Sequence, residues 1–457
     1  MVKLLKNSKL SSPIMFSKFA SDLQIEELAI SEKFYMRKPL KVTATSFVSG
    51  FFEMKSNSEN SLRKWAFFAG MQNGQVVSKQ GIDDRLHERT QKYISALFEK
   101  SMKLKMQEQF KRKQDEELSN LISLFNRILV EDSTAQKVPA QLAELFKGPH
   151  SRGGDPVATL KVQAIYDIIA QDWVRLEVTP YSKNDQSQSA CVLDVCQKGD
   201  LILRDLGYFV LANLGKLVEE QSVITKWDNK TNIHLTEKGD KLNLLQLFKN
   251  KSVVDINVFV GSKTRIPMRM IARKLPAAEA KKRIAAAKKD RHKNTKHSPE
   301  YYEWLKWEIY LTNLPQDQFT PVQIAKLYGL RWYIEILFKA LKSHFNFRKF
   351  LAKDRMTYQR TMITVHLLLI EVVWLMKDIY HYIEQELRKH TTQEISILKL
   401  FSLVQSQIAF IIGIRQLEEL QELILQFSKH AVYEKRQKRQ NMKEKLRNFN
   451  ELGHHKP

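Results

Sequence analysis

Residues 327–342 read LYGLRWYIEILFKALK and space their apolar side chains with the period of an amphipathic helix. At about 100° per residue, the aliphatic side chains gather on one side of this helix: Leu330, Ile334, Leu337 and Leu341. The polar side chains gather opposite them in a narrow arc: Tyr328, Arg331, Glu335, Lys339 and Lys342. One carboxylate therefore stands among three cations and a phenol, whereas most helices that cover a core leave a mixed-charge face to water.

Two explanations of this polar face remain open from the helix alone. In the first, Glu335 forms surface ion pairs one turn away with Arg331 and Lys339. In the second, Glu335 binds a divalent metal together with carboxylates from elsewhere in the fold. The start of the helix is well marked in either case, because residues 320–323, TPVQ, combine an N-cap threonine, a first-turn proline and a capping-box glutamine.

Upstream of this helix, the chain shows the two-residue period and the short apolar runs that are typical of β-strands. Strands are predicted at residues 127–132, 159–166, 172–178 and 200–205. Helices are predicted at residues 186–197 and 208–217. The predicted order is therefore three strands, a helix, a strand and a helix.

Aspartates end two of these predicted strands, Asp132 the first and Asp205 the fourth. Aspartate is a common turn former, so each residue could simply close its strand. However, a first strand with Asp, two further strands, a helix, a strand ending in Asp and a late helix with Glu form the layout of a ribonuclease-H-like sheet. In that layout the three carboxylates converge at one edge. They can hold two hard cations, which activate a water or a 3′-hydroxyl against a phosphodiester.

The composition favours a polyanionic partner. The 457 residues include 74 Lys and Arg against 50 Asp and Glu, which gives a formal charge of +24. Nucleic acid is the partner whose phosphates are neutralised by such an excess. An anionic membrane surface is the competing partner, although the sequence has no lipidation signal and no basic amphipathic anchor. With 43% hydrophobic residues, the chain can bury a substantial core.

Other features argue against zinc modules, secretion and membrane insertion. The two cysteines, Cys191 and Cys196, are too few for a four-thiolate zinc module and are predicted to be unpaired thiols in a reducing compartment. The N-terminus has no long apolar stretch of a secretory signal. The most apolar run, residues 361–376, contains His366 and Glu371 and predicts a buried helix rather than a membrane span. We therefore expect a soluble, intracellular protein.

Residues 218–312 break the rhythm of strands and helices. Short strands are predicted at residues 223–227, 230–235, 253–260, 265–273 and 307–311, and an Ala- and Lys-rich helix at 276–289. Positive charge continues after this helix through Arg291, Lys293 and Lys296. This part of the chain is therefore interpreted as a mostly β insertion that carries a basic arm.

Both ends of the chain are predicted to be helical. Residues 78–98 suit either a helix-turn-helix DNA reader or an ordinary helical hairpin, and residues 100–113 suit a basic helix that links to the next domain. The basic run at residues 435–447 suits either a solvated helix face or a DNA contact.

At this point the sequence resembles a known family. Four residues reproduce the Y-x2-R-x3-E-x6-K signature of the bacterial DDE transposases called the insertion sequence four group, in identity and in spacing: Tyr328, Arg331, Glu335 and Lys342. Three more stretches resemble motifs of that family, namely DST at 132–134, DLGYF at 205–209 and YLTNLP at 310–315. The resemblance spans residues 75–380 and implies a ribonuclease-H-like core interrupted by a β insertion.

The resemblance implies a role for each residue of the site. Asp132, Asp205 and Glu335 would bind two Mg²⁺ ions, for which Mn²⁺ is expected to substitute. The residues expected to contact DNA are Tyr328, Arg331 and Lys342, with Lys339 on the same helix face and Lys226 where the family has a basic residue. Relatives hold a flipped base on a tryptophan of the insertion. Trp307 is the first candidate here and Trp304 the second, and a place in the core is the other interpretation of Trp307.

The resemblance also implies the reaction and its partners. The family acts as a dimer on two terminal inverted repeats, cleaves them by hydrolysis and joins the 3′-hydroxyls to target DNA, in some members through a hairpin. We therefore expect a homodimer that acts on double-stranded DNA at the bacterial nucleoid in the cytoplasm, with no membrane partner. A nuclease or resolvase of the same fold, a DNA-binding regulator, and a basic structural or membrane-surface protein are the alternatives.

The predicted fold class is α/β, with a ribonuclease-H-like core, a mostly β insertion and helical terminal regions. The five predicted parts are a helical DNA-binding region (1–115), the first part of the core (116–217), the insertion (218–312), the last part of the core with the Glu335 helix (313–385) and a basic helical C-terminal region (386–457).

Overall fold

One nine-stranded mixed sheet organises the computed structural model. The structure describes residues 16–433 except for 38, 40, 58, 105–123, 151–153, 155–156, 290–296, 345–346, 348–349, 352–355, 390–394 and 415–416. The strands are β1 (Ile128–Lys137), β2 (Thr159–Asp167), β3 (Asp172–Pro180), β4 (Leu201–Arg204), β5 (Ser222–Lys226), β6 (Ile233–His234), β7 (Val253–Val260), β8 (Ile266–Lys274) and β9 (Trp307–Thr312). Their order across the sheet is β3-β2-β1-β4-β5-β9-β8-β7-β6. The predicted α/β class is confirmed.

The helices before the sheet are α1 (Phe16–Asp22), α2 (Ile25–Ser31), α3 (Ala44–Ser56), α4 (Leu62–Asn73), α5 (Lys79–Asp83) and α6 (Glu88–Lys103). Those between its strands are α7 (Leu211–Glu220), α8 (Leu244–Phe248), α9 (Ala277–Lys289) and α10 (Pro299–Trp304). After the last strand come α11 (Pro321–Gly329), α12 (Trp332–His344), α13 (Thr357–Trp374), α14 (His381–Arg388), α15 (Ile397–Ser406), α16 (Ile408–Gly413) and α17 (Leu417–His430). The described residues at both ends are therefore mainly helical, as predicted.

Strand pairing in the first half of the sheet determines where the aspartates lie. β1 pairs antiparallel with β2, and β2 with β3, whereas β4 runs parallel to β1 and β5 parallel to β4. The register places Glu131 beside Arg204 at the end of the β1–β4 ladder. The next residue on each strand is an aspartate, Asp132 and Asp205. The two predicted strand-end aspartates are therefore neighbours at the edge where β4 ends.

Two predictions for this half of the sheet need correction. β1 does not end at Asp132 but continues to Lys137, because it goes on pairing with β2 after β4 has left the sheet. Residues 186–197 form two short 3₁₀ turns, Gln186–Gln188 and Cys191–Asp194, rather than a helix. Ser187 bonds back to Asn184 there, and such side-chain bonds compete with helical pairing.

The predicted β insertion is not a separate sheet. β9 pairs antiparallel with β5 and with β8, so the strands of residues 253–312 extend the same sheet. β5 itself pairs with β4 and belongs to the first half. The strand predicted at 230–235 is reduced to Ile233–His234, because a turn closed by the Thr231 N–H and the Asp228 carbonyl occupies its start.

The alternating side chains of the central strands build a core on each face of the sheet. Val130, Leu203 and Ile224 are buried in a cluster that includes α11, α12 and α13. Leu129, Ile202 and Val223, one position earlier in each strand, are buried in a second cluster that includes α7 and α8. Since both faces are covered, the central residues of the parallel strands form short apolar runs, as this kind of sheet requires: residues 128–130, 201–203 and 223–224.

The apolar run at residues 361–376 lies in α13 and the π-helical turn that follows it, with every residue buried, as predicted. Among the described residues, no helix combines the length and apolar character that crossing a bilayer demands. α13 packs along α6, where the Ser95 hydroxyl meets His366 Nδ1 at 3.0 Å and Arg360 pairs with Asp83. The predicted helix-turn-helix segment, which includes α5 and α6, thus has one side against this buried helix; its role in DNA binding stays a prediction.

Three basic features of the prediction lie wholly or mainly outside the described residues. The linking helix predicted at residues 100–113 is described only as far as 104, and its first four residues belong to α6. The basic residues 291, 293 and 296 and the run at 435–447 are outside entirely.

The helix predicted across residues 320–342 begins as expected but is interrupted. The Thr320–Gln323 capping box forms, with Pro321 in the first turn. After Gly329, the amides of Leu330 and Arg331 bond to carbonyls three residues back instead of four. This tighter turn separates α11 from α12, and it turns each residue by about 120° instead of 100°. Tyr328 is buried and does not share one exposed face with the cations, which corrects the prediction.

Candidate active site

Three carboxylates from distant parts of the sequence surround the guanidinium of Arg331. Its Nη1 donates to Asp132 Oδ2 at 3.2 Å, and its Nη2 donates to Glu335 Oε1 at 2.8 Å. Its Nε lies 3.7 Å from Asp205 Oδ1. The predicted convergence of strand-borne aspartates and a helix-borne glutamate is therefore present in the geometry, and a basic residue of the same helix stands between them.

The site gains its shape from two parts of the backbone. Asp132, inside β1, and Asp205, directly after β4, lie side by side where β4 ends. Arg331 lies in the turn that leads into α12 and Glu335 in the first turn of α12, which packs against β1. Leu330, buried beside them, anchors the turn to the core.

Burial acts against the charge of Asp132. Its side chain is only 20% exposed, compared with 41% for Asp205 and 32% for Glu335. Burial, together with the neighbouring carboxylates, raises the pKa of Asp132 to about 6, although the Ser133 amide and Arg331 oppose the shift. Raised carboxylate pKa values occur at functional sites but also at buried carboxylates elsewhere in this fold, such as Glu131 and Glu371, so the shift supports the site only together with its geometry.

Arg331 is held in place by all of these groups. Burial lowers the pKa of Arg331, but its interactions with Tyr328 and the three carboxylates raise the pKa by more. The net shift is therefore upward. Its guanidinium also lies 6.0 Å from the centre of the Tyr328 ring. Arg331 is therefore positively charged at every relevant pH and is held at the centre of the three carboxylates.

Tyr328 and Lys226 continue the site on the side of β5. The Lys226 ammonium lies 5.5 Å from the centre of the Tyr328 ring, and burial lowers the pKa of Lys226. The Tyr328 hydroxyl is buried and has no hydrogen-bond partner among the described residues. Burial raises the pKa of Tyr328 far above its usual value. The structure thus brings these two predicted residues to the site, but as half-buried and buried groups rather than as an exposed face.

The other predicted residues of α12 are more peripheral. Lys339 is exposed and Lys342 is partly exposed on the same helix. Trp332, which directly follows Arg331, is 60% exposed. Trp332 was not among the predicted residues. Its signal in the sequence is a large aromatic side chain that the helical period places outside the apolar stripe, beside Arg331.

Neither tryptophan candidate for a flipped base presents an open ring. Trp307 is buried, with its ring 4.5 Å from that of Phe248, so the core position is correct and the base-holding role is not supported. Trp304 packs edge-on against Trp227 at 5.4 Å, and its indole nitrogen is buried without a described partner. β9 turns Trp307 inward because it belongs to the same inward-facing set as Ile309 and Leu311.

Asp185, which was not among the predicted residues, contacts Ser133, the residue next to Asp132. Its Oδ1 accepts hydrogen bonds from the Ser133 hydroxyl and the Lys161 ammonium, each at 2.9 Å. Its carboxylate also packs against Gly207, where a Cβ atom would lie 3.2 Å from Oδ2. Asp185 thus contacts Ser133, directly after Asp132, and Gly207, two residues after Asp205. Its neighbours in sequence are polar loop residues, which gave no signal.

The donor set fits a hard divalent cation, although the present arrangement is closed around Arg331. Carboxylate oxygens are the ligands that such ions prefer, and three of them face one point. As the described side chains stand, no group of three or more His, Cys, Asp or Glu residues is arranged to hold a metal ion. Movement of Arg331 would release all three carboxylates together.

Comparisons with known proteins identify the family of this chain. The family model described as a transposase DDE domain matches residues 123–370, from before Asp132 to beyond Glu335. The transposase of insertion sequence element IS231F from Bacillus thuringiensis subsp. israelensis is 29% identical over 60% of this chain and 60% of its own length. That of IS231C, from subsp. berliner, is 26% identical over 74% of this chain and 73% of its own. That of IS1151 from Clostridium perfringens is 24% identical over 70% and 71%.

Among solved structures, a piggyBac transposase synaptic complex with hairpin DNA aligns over 95% of this chain and 88% of its own. Its TM-score is 0.45 at 8% identity, which is too low to establish a shared fold. The family match, by contrast, covers more than half of the 457 residues and contains all three carboxylates. The chain therefore belongs to the family of transposases with a DDE domain.

Proposed function

We propose that this chain is a DNA transposase whose metal-binding carboxylates are Asp132, Asp205 and Glu335. The observation that carries the proposal is the gathering of these three side chains around Arg331, at the edge where β4 ends. Membership of the DDE family supports it. The reaction would be cleavage of the terminal inverted repeats of the element, followed by joining of the 3′-hydroxyl ends to target DNA.

The proposed core is ribonuclease-H-like. Its support is the strand order β3-β2-β1-β4-β5, with the first three strands antiparallel and the last two parallel to β1. The carboxyl ends of parallel strands form the edge at which α/β proteins bind their ligands. The chain would consist of the five predicted parts with one change, namely that β5 belongs to the core and not to the insertion.

The three carboxylates would hold two Mg²⁺ ions, for which Mn²⁺ would substitute. When bound, such ions lower the pKa of an attacking water or 3′-hydroxyl and stabilise the leaving oxygen. The protein contributes the orientation of the ligands. The Ser133 amide donates to Asp132 Oδ1 at 2.8 Å and fixes that carboxylate, and Asp185 fixes Ser133 in turn.

Arg331 would have two successive partners. In the structure its guanidinium is engaged by the carboxylates. A DNA phosphate at the site would offer it a bidentate partner, whereas Asp132 and Glu335 each accept a single hydrogen bond from it. Arg331 would then leave the carboxylates free for metal while it holds the DNA.

The remaining DNA contacts follow from position. Lys339 and Lys342 on α12 would bind phosphates beside the cut. Lys226 and Tyr328 would line the inner side, and the exposed Trp332 ring would stack against a base or sugar. The partner would be double-stranded DNA at the terminal repeats and at the target, bound by a homodimer at the bacterial nucleoid.

A cleavage experiment tests this function. A DNA fragment with the inverted repeats that flank the coding sequence is incubated with the purified protein, in Mg²⁺ or in EDTA, and the products are separated on a denaturing gel. We expect Mg²⁺-dependent nicks at the repeat boundary, and joined or hairpin products would identify the route. Binding without cleavage in every condition would contradict the proposal and indicate a DNA-binding regulator.

A further inference from the structure

The connection between β8 and β9 leaves the sheet at the edge that bears the carboxylates. β8 ends at Lys274, which pairs with Trp307 at the start of β9. β9 also pairs with β5, and Lys226 at the carboxyl end of β5 lies opposite Tyr310. β5 runs parallel to β4, so the carboxyl ends of both strands and the start of β9 lie at the same edge of the sheet as Asp205. Helices α9 and α10, which form the connection, therefore start beside the candidate active site.

α9 docks on the fold through a narrow stripe. Ala280 is buried, and Arg283, Ile284 and Ala287 are partly buried, whereas most other residues of the helix are exposed. Arg283 secures the stripe, with its Nη2 2.9 Å from Glu279 Oε1 and 3.7 Å from Glu308 Oε1. Glu308 belongs to β9 and, together with Arg283, influences the pKa of Lys226. The helix is thus fixed next to the inner side of the site.

The lysines of α9 share the face that points away from the fold. At about 100° per residue, four lysines lie within an arc of about 120° that is opposite the docked stripe: Lys281, Lys282, Lys288 and Lys289. All four are exposed, and none forms an ion pair with a carboxylate of the described chain within 4.0 Å. Unpaired like charges on one helix face repel each other, so folding alone does not explain them.

α10 holds the far end of this lysine face. The Lys288 ammonium lies 5.7 Å from the centre of the Tyr302 ring, a cation–π distance. Tyr301 stacks on His297 at 4.1 Å, and Trp304 packs against Trp227, which follows β5. The lysine face is therefore connected to the sheet through α10, by the Lys288–Tyr302 and Trp304–Trp227 contacts.

We propose that this lysine face of α9 binds the phosphate backbone of duplex DNA and extends the DNA path away from the active site. The proposal rests on the proposed function, since the DNA must reach the carboxylates. The two lysine pairs are seven residues, or about 10 Å, apart along the helix, so they can meet two separate phosphate groups. The contact carries no sequence information, because it involves backbone phosphates only.

The test compares two variants that differ from the wild type by the same charge. In the first, the four α9 lysines are replaced by alanine: Lys281→Ala, Lys282→Ala, Lys288→Ala and Lys289→Ala. In the control, four exposed lysines elsewhere, outside the predicted DNA-binding parts of the chain, are replaced: Lys137→Ala, Lys147→Ala, Lys198→Ala and Lys216→Ala. Binding to a 40-base-pair terminal-repeat duplex and to a scrambled duplex of equal length is measured in EDTA over a range of salt concentrations. Thermal unfolding of each variant checks its fold.

We expect the α9 variant to bind at least tenfold more weakly than the control variant at low salt. Its plot of log K against log salt should be shallower by about 0.9 for each phosphate that the protein no longer neutralises. Weaker binding to both duplexes would mean that the face binds any DNA, including target DNA, and weaker binding to the terminal duplex alone would assign it to the element end. Equal binding and equal slopes for the two variants would overturn the proposal.

Binding in EDTA does not depend on the chemistry, so the two hypotheses can fail separately. If wild-type protein cleaves in Mg²⁺ while the α9 variant binds like the control, the lysine face is wrong and the function stands. If wild-type protein binds through α9 but never cleaves, the face stands and the proposed catalytic function is wrong.

Discussion

Arg331, in the turn before α12, and Glu335, in the first turn of α12, are four residues apart, and the Arg331 Nη2 donates a hydrogen bond to Glu335 Oε1 at 2.8 Å. The same guanidinium donates to Asp132 at 3.2 Å and approaches Asp205 at 3.7 Å. One side chain therefore balances three carboxylates. A DNA phosphate would compete with these carboxylates for the guanidinium, so we expect metal binding and DNA binding to be coupled through Arg331.

Replacement of Arg331 by alanine should make the DNA-free protein more dependent on metal. Without the guanidinium, the three carboxylates repel each other, so we expect Tm in EDTA to fall by about 2–4 °C. Mn²⁺ should then raise Tm more than in the wild type, and its affinity should increase about tenfold. Thermal unfolding over a Mn²⁺ titration measures both effects. Lys339→Ala, which removes an exposed cation from the same helix, is the control. An unchanged Mn²⁺ affinity in Arg331→Ala would refute the coupling.

The raised pKa of Asp132 predicts a pH-dependent stability. The folded-state pKa is about 6 and the ordinary value is 3.8, so the folded protein binds the proton more tightly. The stability that Asp132 contributes is present below pH 4 and is lost as the pH rises through 6, at most about 3 kcal/mol. Asp132→Asn should therefore raise Tm at pH 8 in EDTA but hardly at pH 4. The exposed Asp194→Asn should show no such difference. An equal change at both pH values would argue against the shift.

Asp185 is a positioning residue, and its removal should affect cleavage through Ser133. Asp185→Ala leaves the Lys161 ammonium, which is 10% exposed, without this carboxylate and should cost about 1–3 kcal/mol of stability. It should also lower the cleavage rate more than it lowers DNA affinity, because Asp132 loses its orientation. Asp185→Asn keeps an acceptor for Ser133 and should recover most of the rate. If both variants lost stability and affinity while the rate of bound DNA stayed unchanged, Asp185 would be purely structural.

The two tryptophans Trp332 and Trp307 should respond in opposite ways. Trp332→Ala removes an exposed ring, so we expect an unchanged Tm and DNA affinity weaker by about 1–3 kcal/mol. Trp307→Ala removes a buried ring and should cost about 3–5 kcal/mol of stability. Thermal unfolding and fluorescence-anisotropy titrations with duplex DNA measure both. A large loss of stability in Trp332→Ala without a change in affinity would remove Trp332 from the interface.

Much of the fold could be predicted from the sequence because local pattern and tertiary structure agree there. The strands of residues 159–180 alternate or run apolar as their burial requires, and the Thr320 capping box marks the start of α11 without help from the rest of the fold. Long-range pairing could not be predicted in this way. Whether β9 joins β5 in one sheet depends on contacts between residues 84 to 88 positions apart, to which local periodicity is insensitive.

The candidate site was partly predictable for a similar reason. Asp132, Asp205 and Glu335 could be singled out from strand ends and helix spacing, and the structure brings them together. The break after Gly329 was not foreseen, because a glycine in a helical pattern predicts only a local cost and not the altered turn. Tyr328 stays buried with the α11 residues before that turn, whereas Arg331 lies in the turn and meets the carboxylates. Asp185 was missed since it lies in a loop whose position depends on Lys161 and Ser133.

The most direct test of the central claim compares three single variants, Asp132→Ala, Asp205→Ala and Glu335→Ala, with the wild type on duplexes that carry the terminal repeats. DNA affinity in EDTA and cleavage in Mg²⁺ are measured for each protein, and Glu308→Ala serves as a nearby carboxylate control. The three carboxylates should be dispensable for binding and indispensable for cleavage, while Glu308→Ala should still cleave. Normal cleavage by any of the three variants would contradict the assignment of that residue as a metal ligand.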